Sequence, residues 1–444
     1  MLADRPSRHA QTAPSISATD SSLDSSLDSS LRSHQYDVVI VGGGIVGLTL
    51  ACGLRNTHLR VAVIESQTAQ QAAGRPRAYA FSPVSAKILD GLGLWDEVGP
   101  QLTPFRQVQL SDADYPKALT FRPEDGRGDA VYYSAEHTVL MRALQTAIGT
   151  APTIDYWCES RVVPEPSRQT TSSQTLADQT LAGQTLTVEH QGDRITFETQ
   201  LIVGADGARS GVRDQAGIQT FGWKYWQSCI TAVLEPEQTH ANTAYERFWP
   251  SGPFAILPLP HNRCQIVWTA PHQEAKDMLA LPKDQFLREL SARYGSQMGP
   301  LKLVSQPMMF PVQLMQSKHY VRPGVALIGD AAHCCHPVGG QGLNMGIRDA
   351  IALAEVLRQA QASGDPLGSL TVLKRYERWR RTENWFTLSL TDFLNRAFSN
   401  RFWPLVIARR TGIWVISSVK PLRRLILQLM TGFFGKLPES IRGK

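Results

Sequence analysis

Hydrophobic and polar positions along this chain fall into three regimes. Short unbroken apolar runs at 36–41 (YDVVIV), 61–64 (VAVI), 201–203 (LIV) and 325–328 (VALI) predict strands buried on both faces. Alternation at 106–133, and again over 228–234, 243–248 and 264–269, predicts antiparallel strands. Helical spacing predicts helices up to about residue 55, over 135–149, 283–294 and 343–357, and onward from about 371. Apolar strands interleaved with helices, plus a block of alternating strands, predict an α/β unit with an antiparallel sheet beside it.

Three of the apolar runs break into glycine-bearing bends, and the chemistry concentrates there. The first supplies G-x-G-x-x-G as Gly42, Gly44 and Gly47, with helix, second strand and the acidic Glu65 following in order. The first glycine makes the turn, the second admits a pyrophosphate and the third lets helix pack on strand, while Glu65 accepts from ribose hydroxyls. Its charge disfavours a 2′-phosphate, so FAD or NAD fits better than NADP. The second bend carries Asp206-Gly207, and the third carries Gly329-Asp330 followed by Pro337, Gly340, Gly342, Leu343 and Asn344 at a helix start. First-turn N–H groups with little side chain in front of them suit an electron-rich ligand. Arg77, before a helical run with Val84, Ile88, Leu89 and Leu92, either neutralises a pyrophosphate or is a solvated loop arginine. His333-Cys334-Cys335-His336 suggests a metal, but adjacent cysteines in a strand-to-helix loop close a tetrahedral site poorly, and no metal is expected.

A length of 444 residues exceeds what one core holds, so two domains and appendages are expected. The six cysteines show no framework spacing and no secretory signal is visible, which points to a reduced, cytoplasmic setting. No apolar run is long enough to span a bilayer. The net charge of +6 hides an asymmetry: fifteen lysines and arginines against four acids from Lys374 onward give the tail +11 and leave the rest at −5. In that tail Leu422, Leu425, Ile426, Leu429 and Phe433 form one stripe flanked by basic residues. It reads either as an interfacial membrane helix or as a face packed on the body or on a second copy of the chain. Bulky aliphatics interleave the charges, which argues against nucleic acid. Residues 1–35, with the repeat SSLDSSLDSSL, have too little apolar surface to order, and the polar insert at 164–186 extends a loop. The stiff apolar GPFAILPLP at 252–260 is suited to wall a cavity, with Tyr245, Phe254, Ile256 and Pro258 as candidate lining. An ordinary sheet with edge prolines is the alternative.

With these segments assembled, the chain resembles the class A FAD-dependent aromatic hydroxylases, and among them the ubiquinone-biosynthesis hydroxylases. The carrying segments are YDVVIVGGGIVGLTLACGL, RAYAFSPVSAKILDGLGLW, AEHTVLMRAL, GADGARSGVR, GPFAILPLP, RPGVALIGDAAHCCHPVGGQGLNMGIRDAIALAEVL and RYERWRR. The resemblance implies a discontinuous Rossmann-like FAD domain (36–105, 130–217 and 311–372), a substrate domain (106–129 and 218–310) and a basic helical C-terminal region (373–444). It implies non-covalent FAD, NAD(P)H as a transient reductant, O₂ as co-substrate and a polyprenylated phenol hydroxylated through a flavin C4a-hydroperoxide. Carried onto this sequence, Glu65 holds the adenosine ribose, Arg77 lies along the phosphates, and Asp206-Gly207 sits where cofactor and reductant meet. Asp330 binds the ribityl–pyrophosphate region, with Pro337 and Gly340 to Asn344 around the isoalloxazine. No protein base can be assigned. Peripheral membrane association through the basic tail, and a homo-oligomer or quinone-biosynthesis complex, are expected. Another flavin enzyme on this scaffold (a polyprenyl reductase or epoxidase) and a non-catalytic flavoprotein subunit of a membrane complex are the alternatives.

Overall fold

The computed structural model describes residues 33–113, 115, 117–163, 183–295, 297–433 and 435–439. Strand β1 (Ser33–Val41) pairs in parallel with β2 (Val61–Ile64) on one side and with Asp193–Gly204 on the other. Val325–Leu327 and Ile154–Trp157 extend the parallel set at either edge. Helix α1 (Ile45–Leu54) lies between this sheet and the long helix Gln341–Ser363. Nearly every residue of α1 is buried, which is why its sequence is apolar on all sides. Gly53 makes the approach possible, because a Cβ there would stand 2.8 Å from the Ala354 side chain.

A second, largely antiparallel sheet runs in the order Met308–Ser317, Thr220–Pro236, Arg263–Pro271, Gly252–Leu259, Thr243–Trp249, Gln107–Asp112, Leu119–Phe121. One face packs Trp268, Phe254 and Ile256 against Phe286 of the helix Lys283–Tyr294 in a shared core. On the other face Gln265 bonds both N–H and C=O of Ala78, in the strand Ala78–Phe81, which pairs with Tyr133–Glu136 in a small third sheet. Beyond the sheets stand three helices, Leu370–Phe398, Trp403–Ser418 and Lys420–Thr431. Among the described residues no helix is long and apolar enough to cross a membrane.

Several boundaries differ from the sequence expectation. Order begins before Tyr36: Ser33–Gln35 pair with Thr196–Glu198 and belong to β1, while residues 1–32 of the expected leader lie outside the described residues. Of the insert, 164–182 lies outside them too, but Gln184–Leu186 form the start of a strand paired with Asp193–Gly204. The strand Met308–Ser317 runs through position 311 and continues the substrate-side sheet to 317, because nine register pairs tie it to Thr220–Pro236.

Candidate functional site

The first bend sits where β1 hands over to α1. Gly42 has φ +113°, and a Cβ on it would lie 2.4 Å from the Ala205 carbonyl oxygen; one on Gly47 would lie 2.0 Å from the Gly42 carbonyl oxygen. These two glycines close the turn. Gly44 differs, since nothing stands within 4 Å of where its Cβ would be. It opens onto a cavity of about 450 Å³ shared with Gly42, Glu65, Asp206 and Gly207. Glu65, buried at the tip of β2, accepts from the Gly43 N–H of the bend at 3.0 Å through one oxygen and from the Gln67 N–H of its own loop at 3.0 Å through the other. Asp206 accepts from the Val212 N–H through Oδ2, while its other oxygen is buried without a partner. An orphaned acceptor at a cavity wall is completed by a donor on a ligand. Arg75 and Arg161, which the sequence reading passed over, also line this cavity, as does Ser160.

Gly329 and Asp330 do not line that cavity, and Gly329 approaches Val46 of α1, where a Cβ would stand 3.1 Å from the valine side chain. The Gly329 N–H is held by Asp349, and Arg213 bonds the carbonyls of Ala208 and Ala331, tying the second bend to the third. Asp330 is open to the cleft but enclosed by protein around it. Burial raises its pKa, and His333 and Arg77 pull it back down. Arg77 is an exposed loop arginine stacked over Tyr79 at 5.2 Å and Phe310 at 5.1 Å. It is absent from the first cavity and stands within electrostatic reach of Asp330.

The third bend ends in two left-handed glycines, Gly339 (φ +66°) and Gly340 (φ +61°), and the helix then starts at Gln341, two residues earlier than its apolar spacing suggests. A Cβ on Gly340 would meet the Ala80 side chain at 2.6 Å. Asn344 requires a correction, since its side chain is not turned to a ligand. Its oxygen accepts from the Ser82 N–H and Ser85 Oγ, and its amide donates to the carbonyls of Ala80 and Gly340, which fills its bonding capacity. Asn344 therefore fixes the helix start, leaving Gly342 and Leu343 partly open. His336 is fully buried, and burial lowers its pKa to about 3. Among the described residues no group of three or more His, Cys, Asp or Glu could hold a metal ion.

Pro337 to Gly340 also form one end of a second cavity, about 510 Å³, that continues between the outer strands of the second sheet and the C-terminal helices. Its lining is almost wholly apolar: Phe105, Leu110, Leu257, Leu390, Ile413 and Met430 are representative. Tyr245 touches this cavity, but Phe254, Ile256 and Pro258 do not. The expected wall has the wrong parity. Phe254 and Ile256 point into the core beneath Lys283–Tyr294, and the alternate residues Ala255 and Leu257 face the cavity. The strand Gly252–Leu259 is buried on both faces, so its composition carries no phase. The last helix makes part of the wall: Ile426, Leu429 and Met430 face inward, while Leu425 of the same expected stripe is 48% exposed.

Comparison with known proteins agrees with this geometry. The family described as FAD binding domain matches residues 35–388. An uncharacterized Synechocystis protein, slr1300, is 45% identical over 93% of this chain and 96% of its own length. The ubiquinone hydroxylase UbiL of Rhodospirillum rubrum is 37% identical over 91% and 92%. The crystal structure of p-nitrophenol 4-monooxygenase PnpA from Pseudomonas putida superposes with a TM-score of 0.75 at 20% identity, covering 91% of this chain and 99% of that one, a likeness of fold.

Proposed function

The chain belongs to the family of FAD-dependent ubiquinone-biosynthesis hydroxylases, and we propose that within it the protein hydroxylates the ring of a polyprenylated phenol with NAD(P)H and O₂. The observation that carries this reading is the apolar cavity whose one end is the Pro337–Gly340 turn at the opening of helix Gln341–Ser363. A phenol ring seated at that end has its prenyl chain directed among aliphatic side chains, where burial contributes about 0.8 kcal/mol per methylene.

The residues present fit FAD. Glu65 would accept from the adenosine ribose, the space above Gly44 would receive the pyrophosphate, and Asp206 would take a donor on its orphaned oxygen. Arg77 and Asp330 would lie along the middle of the cofactor. The first-turn N–H groups of Gly342 and Leu343 would face the ring, where a helix start stabilises negative charge by roughly 1 kcal/mol. Once bound and reduced, FAD supplies the oxygen activation that no side chain can. The protein's part is to hold the ring against the turn and keep water out. With one dinucleotide fingerprint among the described strands, NAD(P)H would visit rather than reside.

A membrane surface is the proposed source of the substrate. Phe393, Phe402 and Trp403 are 64%, 61% and 70% exposed beside cavity-lining Leu390, Leu394 and Leu405, and the exposed cations Arg401, Lys420 and Arg424 flank them. Exposed aromatics beside basic residues that have no ion-pair partner among the described residues suit an anionic bilayer. The test is purification followed by a visible spectrum, anaerobic reduction by NADH and NADPH, and product analysis with prenylated phenols. Phenol-stimulated NAD(P)H consumption with one oxygen added to the ring supports the reading. A yellow protein that no phenol stimulates would instead be a flavin-bearing scaffold subunit.

A further inference from the structure

One polar group in the second cavity is not explained by its apolar lining. Glu246 lies in the strand Thr243–Trp249, opposite Leu110 on one neighbouring strand and Ala255 on the other, and its side chain stands on the cavity wall. The row continues through Ala255 to Val267, which lines the same space. Among the described residues Glu246 has neither a hydrogen-bond nor an ion-pair partner. The other charged residue on this wall, Arg409, is already held by Asp112 at 2.8 Å and by the carbonyls of Ala397 and Asn400. Arg247, next in sequence, turns to the opposite face and bonds the Arg293 carbonyl and Gln297. A lone acid in such a wall is costly unless a ligand completes it.

We propose that Glu246 is the group that takes the proton from the hydroxyl of the phenol substrate, an inference that rests on the hydroxylase reading above. The substrate O–H bond breaks as an O–H bond forms on the carboxylate, and the electron pair left on the phenol oxygen flows into the ring. The activated carbon accepts the inserted oxygen and loses its hydrogen as a proton to solvent, and Glu246 returns its own proton to the product oxygen. Burial pushes Glu246 up to about 8. That is within about two units of a free phenol, against roughly six for an exposed glutamate, so the transfer is far closer to balanced. The sign follows: the carboxylate is the active form, so turnover climbs as pH rises through about 8.

The experiment uses the FAD-loaded enzyme, 2-geranylphenol and the variants Glu246→Gln and Glu246→Asp. Turnover is followed from pH 6 to 10. Glu246→Gln is expected to keep its FAD and a KM within a few-fold, to lose on the order of 100-fold in kcat, and to lose the climb near pH 8. Glu246→Asp should recover part of the rate. Unchanged kcat and pH profile in Glu246→Gln overturns the proposal while leaving the hydroxylase reading intact. Wild-type enzyme that hydroxylates no phenol overturns both.

Discussion

Asp349 and Arg380 meet at 2.8 Å, 31 residues apart in sequence, with neither side chain reaching water. Asp349 also accepts from His333 Nε2 at 2.5 Å, from Asn384 and from the Gly329 N–H. Burial alone would raise this carboxyl, but the charges of His333 and Arg380 and their hydrogen bonds outweigh it and hold it well below the usual carboxylate range. A single side chain thus joins the helix Leu370–Phe398 to the bend that carries Asp330.

Breaking that joint is expected to cost about 3–5 kcal/mol, because Arg380→Ala leaves Asp349 buried and charged without its main partner. Chemical denaturation measures the loss, and FAD retention on gel filtration should fall with it. A variant as stable as wild type would remove the network from the account of the site.

The glycines of the first bend should separate folding from binding. Gly44→Ala meets open space and is expected to change stability by no more than about 0.5 kcal/mol while weakening FAD at least tenfold. Gly47→Ala collides with the Gly42 backbone and should lower the melting temperature outright. Equal FAD affinity in Gly44→Ala and wild type would place the pyrophosphate elsewhere.

Parity along Gly252–Leu259 gives a paired test. Leu257→Trp fills the apolar cavity and should raise the KM for a prenylated phenol at least tenfold with little loss of stability. Phe254→Ala empties the core beneath Lys283–Tyr294 and should cost about 3–5 kcal/mol with KM nearly unchanged. The reverse pattern would restore the wall first expected from sequence.

His336 should make the protein sensitive to acid. Its folded pKa of about 3 lies below the unfolded value near 6.5, so the unfolded state alone takes a proton between them and stability falls as pH drops through that window. From pH 7.5 to 5.0 the wild type should lose about 2 kcal/mol more than His336→Gln in urea titrations. Parallel losses would show that His336 is not the group responsible.

Membrane docking is expected to depend on both halves of the exposed patch. Replacing Trp403 and Phe402 with serine should abolish binding to anionic liposomes. Replacing Arg401 and Arg424 with glutamine should weaken it and flatten its salt dependence. Binding equally strong at high salt would remove the electrostatic part.

Much of the cofactor side was legible in the residues themselves, because local rules govern it. Val61–Ile64 has the bounds that its pattern predicts, and the bend glycines follow from backbone geometry within a few residues. The substrate side was less legible. Phe254 and Ile256 carry no phase in a doubly buried strand, and Asn344 looks like a ligand until Ser82 and Ala80 arrive from more than 250 residues away. Glu246 left one signal: Ala244, Glu246 and Phe248 share a strand face, so a lone acid interrupts an apolar row.

The last helix, Lys420–Thr431, is pinned where Tyr132 and Gln341 both donate to the Met430 carbonyl and Arg423 reaches Asp125. Because that wall comes long after Gly42 to Gly47 in chain order, a nascent chain already displays those glycines while the apolar cavity still gapes. A polypeptide curtailed before Lys420 should therefore emerge as a leaky oxidase, burning reductant to peroxide with no product to show for it.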